Sequence, residues 1–192
     1  MRLRLSHMKS VIALLLLTLS VLVHAQDKPS ADQYVTLPHE AMTQKLKTID
    51  NKSLTLSDYP DAIIIINLFA TWSPPCRTNL SDLIDLKKHY DKNPIIIIGM
   101  DWIENDRDLD QVIEFADQMK INFPVVWDTD NFSHMLVSVV NSRSVVPQTF
   151  IIDTHGRIRK HFSGFNPTMT PQLLRQALDD VAAHPDADKP AP

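Results

Sequence analysis

Asp61-Ala62-Ile63-Ile64-Ile65-Ile66-Asn67-Leu68-Phe69-Ala70-Thr71-Trp72-Ser73-Pro74-Pro75-Cys76-Arg77 is the stretch on which the reading of the chain turns. Four consecutive isoleucines with apolar residues on either side show no polar alternation. Such a run predicts a strand buried on both faces of a mainly parallel sheet. The run stops at Trp72 and gives way to a helix start: Ser is a favoured N-cap and Pro suits the first helical position. Beyond it Leu80, Leu83, Ile84 and Tyr90 recur at helical spacing, while Asp82, Asp85, Lys87 and Lys88 take the opposite face.

The same pattern repeats outward. Ile95 to Ile98 is a second buried strand, leading through Gly99 to Asp101. Leu109, Val112, Ile113, Ala116 and Met119 predict a second helix; Phe132, Met135, Leu136 and Val139 predict a shorter third. Phe123 to Trp127, Gln148 to Asp153 and Ile158 to Phe162 read as strands, with His155-Gly156 turning the last two into a hairpin. Thr170 and Pro171 read as cap and first residue of a closing helix striped by Leu174, Ala177, Leu178 and Val181. Upstream, Asp50-Asn51 is a turn between two short strands. Strands alternating with helices imply crossovers, so the fold class is α/β, a central mixed β-sheet flanked by helices with an N-terminal β-hairpin. Asp101, Trp102 and Glu104, at a strand end, are expected to form an exposed acidic loop.

Length and composition bound the function. The 192 residues suffice for one packed domain, and the hydrophobic (44%) and charged (22%) fractions are those of a globular protein. A net charge of −4 with no basic cluster beyond the N-terminus argues against a nucleic-acid partner. With three glycines and no GxGxxG or GxxxxGK[ST] loop, a phosphate cradle is excluded, and the histidines have no metal-ligand spacing. No cofactor or metal is expected.

The N-terminus reads as an address. Arg2, Arg4 and Lys9 precede an apolar run, Val11 to Val23, and Val23-His24-Ala25 offers a cleavage site. The run is shorter than the ~20 apolar residues that span a bilayer, so residues 1–25 are expected to be a cleaved signal peptide. A membrane contact arises only if that segment is retained. The expected organisation continues with a leader arm (26–41), one domain (42–183) and a disordered tail (184–192). Export leads to a compartment where disulfides form, yet the chain has one cysteine, so no internal bridge is possible.

Asn67 to Arg77 resembles the thioredoxin superfamily, specifically its exported TlpA/ResA/DsbE-like branch, which reads N-F-W-A-T-W-C-P-P-C-R. A second block, Val146-Pro147-Gln148-Thr149-Phe150-Ile151-Ile152-Asp153 followed by Gly156 and Gly164, is similar to that branch's x-P-T-T-F-L-I-D-x-x-G. The resemblance spans residues 42–183. It implies a thioredoxin-like fold with an extra βα insertion, a cis bond before Pro147, and a client-binding surface of Trp72, Pro74, Pro75, Val146 and Pro147. Asn67 stands where cytoplasmic thioredoxins bury a proton-shuttling carboxylate, and Asn is usual in the exported branch. The departure is Ser73, at the position of the branch's nucleophilic cysteine. A hydroxyl is far less acidic than a thiol and forms no equivalent of a mixed disulfide, so the dithiol cycle is not available to this chain alone.

Ser73 reads either as a helix cap or as a catalytic serine, for which His134, His155 or His161 would have to lie near in space. Cys76 is either a small buried hydrophobe or a reactive thiol. The functional expectation is an extracytoplasmic, periplasmic protein that binds a protein client or redox partner, with Cys76 able to form a mixed disulfide. The alternatives are a purely structural client-binding module and a one-cysteine peroxidase. Peroxiredoxins share the fold and carry T/S-x-x-C, which Ser73 to Cys76 resembles; Phe69 stands at their upstream proline, Pro147 at their arginine, and Arg143 is a distant substitute.

Overall fold

The computed structural model describes residues 34–90, 94–102 and 108–185. The expected signal peptide, the first half of the leader arm (26–33), Glu104 and all but the first two residues of the tail lie outside them. Chain order begins with β1 (Val35–Thr36), α1 (His39–Thr43), β2 (Leu46–Lys47), β3 (Ser53–Leu54) and a 3-10 turn at Leu56–Asp58. The central unit comes next: β4 (Ile63–Phe69), α2 (Pro74–His89) and β5 (Ile95–Asp101). It leads into α3 (Leu109–Met119), β6 (Val125–Trp127) and α4 (Phe132–Val139), and the chain closes with β7 (Gln148–Ile152), β8 (Arg157–Ser163) and α5 (Thr170–Ala183).

Six strands form one sheet in the order β1-β8-β7-β4-β5-β6, and β2 pairs with β3 separately. At its centre β4 runs parallel to β5, Ile63 opposite Ile95 and Phe69 opposite Asp101. On its other side β4 runs antiparallel to β7, Leu68 opposite Gln148. The mixed sheet results from the connections: a helix crossover allows parallel pairing, and the β7–β8 hairpin must be antiparallel.

Because β4 has helices or loops on both faces, its side chains divide by alternation. Ile63, Ile65 and Phe69 join the layer of Leu80 and Leu83 (α2), Phe115 (α3) and Leu178 (α5). Ile64, Ile66 and Leu68 join Phe132 and Leu136 (α4), Ala41 (α1) and Leu46 (β2). Each side chain fully buried this way contributes about 1.5–3 kcal/mol relative to exposure.

Two local features differ from the expectations, and a third carries no sequence expectation. Part of the supposed leader arm is ordered: β1 pairs antiparallel with β8, and α1 comes after it with Ala41 buried. Thr170 lies inside α5, whose capping position is Met169. There the Asn166 side chain accepts from the Thr168 and Met169 amides, while Thr170 Oγ1 accepts from the Asn166 amide at 2.9 Å, so an asparagine does the work assigned to threonine. Third, α4 is capped from a distance: the Asp128 carboxylate accepts the amides of Phe132 and Ser133, both at 2.8 Å.

The β6 edge of the sheet is covered. Thr48 bridges Val126 and the Ile49 amide donates to Val125 O at 2.9 Å, so the β2–β3 unit covers the β6 edge. At the β7–β8 turn Gly156 has φ +74°, and a Cβ there would meet Met42 Sδ at 3.2 Å. Buried Asp153 holds this turn: it accepts from the His155 and Arg157 amides and pairs with Arg157 Nε (2.8 Å) and Arg159 Nη1 (3.2 Å). The Arg159 guanidinium also lies 4.8 Å over the Tyr34 ring. Breaking a buried pair strands its partner charge, so Asp153→Ala should cost about 3–5 kcal/mol of unfolding free energy in a urea titration. A change under about 1 kcal/mol would show that the Asp153 pairs are not holding the turn.

Candidate functional site

At the end of β4 the chain turns out of the sheet. The Ser73 amide donates to Ala70 O (3.2 Å), and the Arg77 amide donates to Ser73 O (3.2 Å) as the first bond of α2. Arg77 fastens the turn from outside. Its Nη2 donates to Thr71 O (2.8 Å) while its guanidinium lies 4.6 Å over the Phe115 ring, which stacks on Phe69 at 5.7 Å.

Ser73 occupies the N-cap position, but its hydroxyl makes no capping hydrogen bond. Part of the reason lies in the two residues after it. Pro74 and Pro75 have no N–H to donate, so the cap position has lost its usual partner at N2. Ser73 is 3% exposed, and its side chain hydrogen-bonds no histidine among the described residues. His134 Nε2 instead accepts from Trp102 Nε1 (3.2 Å), and His161 engages Gln148 (2.8 Å). The arrangement is neither the expected cap bond nor a serine–histidine pair.

Cys76 faces the other way. It is 0% exposed and sits in the apolar cluster of Phe69, Leu80 and Phe115. Behind it lies a buried amide group: Asn67 Nδ2 points at Asn79 Oδ1 (2.6 Å), Thr149 Oγ1 (2.9 Å) and Gln148 O (3.2 Å). Two protons serve three acceptors, and Asn67 Oδ1 is left without a hydrogen bond. Asn67 alternates in phase with Ile65 and Phe69, which is why it meets α2.

Above the turn lies a cleft of about 450 Å³ lined by Trp72, Ser73, Pro74, Pro75, Trp102, Ser144, Val145 and Val146. Five of the residues expected at the site therefore meet: Trp72 (60% exposed), Ser73, Pro74, Pro75 and Val146. Pro147 is buried beside the cleft wall, its bond to Val146 is cis, and Cys76 does not line the cleft. Asp101 and Trp102 are not an exposed loop: both are buried, at 0% and 2%, because the β5 end is covered by its neighbours and the Trp102 amide donates to Phe69 O (3.0 Å). Trp102, Ser144 and Val145 were not anticipated at the cleft. Trp102 is foreshadowed by its place just after a strand end, while Ser144 and Val145 give no sequence signal.

Two supports sit behind the wall. Gln148 Nε2 donates to Arg143 O (2.9 Å) and Val145 O (2.8 Å), and its Oε1 meets His161 Nε2 at 2.8 Å. Carbonyls only accept, so the amide sense is set and His161 Nε2 must be the donor. His161 stacks on Phe150 at 4.5 Å, and burial pushes its pKa below the ordinary 6.5.

Two outcomes are expected. Ser73→Ala should change unfolding free energy by less than about 0.5 kcal/mol, where a working cap would cost 0.5–2 kcal/mol, roughly. A loss above about 1 kcal/mol in a urea titration would reveal a hydrogen bond at Ser73. The neutral form of His161 is favoured in the native state, so the unfolded chain binds more protons at mildly acid pH. Its contribution is present above pH 6.5 and lost as pH falls from there towards the lowered native value. His161→Phe should flatten the stability profile across that window; an unchanged slope would assign the acid sensitivity elsewhere.

Comparison with known proteins agrees with this fold. The sequence profile of the AhpC/TSA family matches residues 37–161. The thiol-disulfide oxidoreductase ResA of Geobacillus thermodenitrificans is 26% identical over 138 residues, covering 71% of this chain and 72% of that protein. Among solved structures, a DsbE-type thiol:disulfide interchange protein from Chlorobium tepidum is 20% identical with a TM-score of 0.62, covering 71% of this chain and 91% of that one. A peroxiredoxin Q from Xanthomonas campestris is 18% identical with a TM-score of 0.61, covering 77% and 97%. At these identities the two structures speak for the fold alone. The chain belongs to the AhpC/TSA family, and the proteins it resembles in sequence include the thiol-disulfide oxidoreductase ResA.

Proposed function

We propose that this protein is an exported, extracytoplasmic member of the thiol–disulfide oxidoreductase group that binds a protein client without running a dithiol cycle of its own. The observation that carries the reading is the separation of the cleft from the thiol. The cleft over Ser73 is open and lined by two tryptophans and two valines, whereas Cys76 is buried in the core layer. With serine at the outer position, no sulfur lines the cleft to attack a client disulfide.

None of the eight cleft residues is charged, so the surface favours a neutral, apolar stretch of polypeptide. Trp72, projecting at 60% exposure, is its natural anchor, since exposed tryptophan at a cleft mouth supplies large contact area. Val146 has no backbone hydrogen bond among the described residues, so its amide and carbonyl are available to an extended client chain. Burial of Cys76 also counts against the peroxidase alternative, because peroxide would have to reach a sulfur with no exposed surface.

The test uses reduced, carbamidomethylated α-lactalbumin, an unfolded chain with no thiol or disulfide. The wild-type protein and Cys76→Ala should bind it alike, and Trp72→Ala should weaken binding by roughly tenfold or more. Binding that is lost in Cys76→Ala but indifferent to Trp72 would overturn the reading. In parallel, Ser73→Cys should reduce insulin disulfides where the wild type does not. Wild-type turnover of insulin or peroxide would sink the non-catalytic assignment.

A further inference from the structure

We propose that Gln148 is a positioning residue that sets the cleft wall, and thereby what the cleft accepts; the functional weight of this rests on the client-binding reading above. Arg143 to Val146 form the span from which the wall residues Ser144, Val145 and Val146 project. Among the described residues, the backbone hydrogen bonds within this span are sparse: the Val145 amide donates only to Arg143 O (2.9 Å), inside the span itself. Among the described residues, the two hydrogen bonds that tie the span to the rest of the molecule both come from the Gln148 side-chain amide, to Arg143 O and Val145 O. Ser142 and Pro147, on either side, are anchored separately, through Val137 O and the Gly164 amide.

Gln148 is itself immobilised. It is 0% exposed, its Oε1 is taken by His161 Nε2, and its backbone carbonyl accepts from Asn67 Nδ2. His161 is held in turn by its stack on Phe150. The result is a relay from β8 through β7 to the cleft wall, in which one amide group presents both protons to two carbonyls of an otherwise unanchored loop. A side chain of the same length that cannot donate would fill the space and leave the wall unfastened. Val145 and Val146 would then sample several positions relative to Trp72 and Trp102.

The experiment compares the full-length wild type with Gln148→Met, which keeps length and apolar packing, and Gln148→Glu, which keeps shape but offers acceptors to two carbonyls. Backbone ¹⁵N order parameters are read at Ser144, Val145 and Val146, with β4 and β5 as internal controls. In the wild type the three should sit near ~0.85, and in both variants they should fall below ~0.6 while β4 and β5 stay rigid. The His161 imidazole ¹⁵N signals should report an Nε2–H tautomer in the wild type and lose that bias in Gln148→Met. Affinity for carbamidomethylated α-lactalbumin should drop by roughly tenfold in both variants, corresponding to the loss of two hydrogen bonds that order the wall. Unchanged order parameters at 144–146 in Gln148→Met, or an equal loss across β4 and β5, would overturn the assignment. If the wild type fails to bind the probe, the client-binding reading falls, and the order parameters still decide whether Gln148 positions the wall.

Discussion

Burial of β4 on both faces is the constraint on which the rest of the structure depends. A strand with neighbours on either side and packed layers above and below can carry polar groups only where partners await them. From Ile63 to Phe69 a single polar side chain occurs, Asn67, and its position determines which parts of the fold must come together. Its amide reaches Asn79 on α2 and Thr149 and Gln148 on β7, so the strand, the helix that leaves it and the strand beside it are joined at one buried point. These are the elements that carry the Ser73 turn and the cleft wall.

The turn above β4 is built from what prolines take away. Pro74 and Pro75 start α2 with the right backbone angle and no amide protons, so the serine ahead of them has no partner at N2, and its hydroxyl makes no cap bond to the N3 amide of Cys76 either. The side chain at position 73 is therefore nearly free of structural duty. In a sequence with cysteine there, the same geometry would leave the sulfur equally unencumbered at a helix N-terminus. With serine, the surface that remains is one of shape: an exposed indole, two prolines and a valine-edged wall. Cys76, one helical turn further on, belongs by contact to the interior.

The two ends of β7 are held by different devices. At its far end Asp153 gathers two arginines and two backbone amides to close the β7–β8 turn and brings Arg159 under Tyr34. At its near end Gln148 uses an uncharged amide to hold carbonyls of the cleft loop. The charged device ties the body of the domain together, and the neutral one keeps the cleft free of charge.

Much of this was readable in the sequence, for reasons that are local. The isoleucine runs, the helical stripes, the proline pair and the His155-Gly156 turn each express a constraint satisfied within a few residues, so element order and the mixed α/β sheet could be derived from them. The two-block resemblance likewise drew Trp72, Ser73, Pro74, Pro75 and Val146 to one place. Tertiary structure decided the rest. Whether Cys76 faces the cleft or the core depends on how α2 lies against Phe69 and Phe115, and whether Trp102 is exposed depends on what covers the end of β5. The role of Gln148 depends on a loop and a histidine that approach it only when β7 and β8 pair. Periodicity reports which face of an element is apolar; it carries no record of which distant group a polar side chain will find, because that partner is brought near only by the packing of other elements.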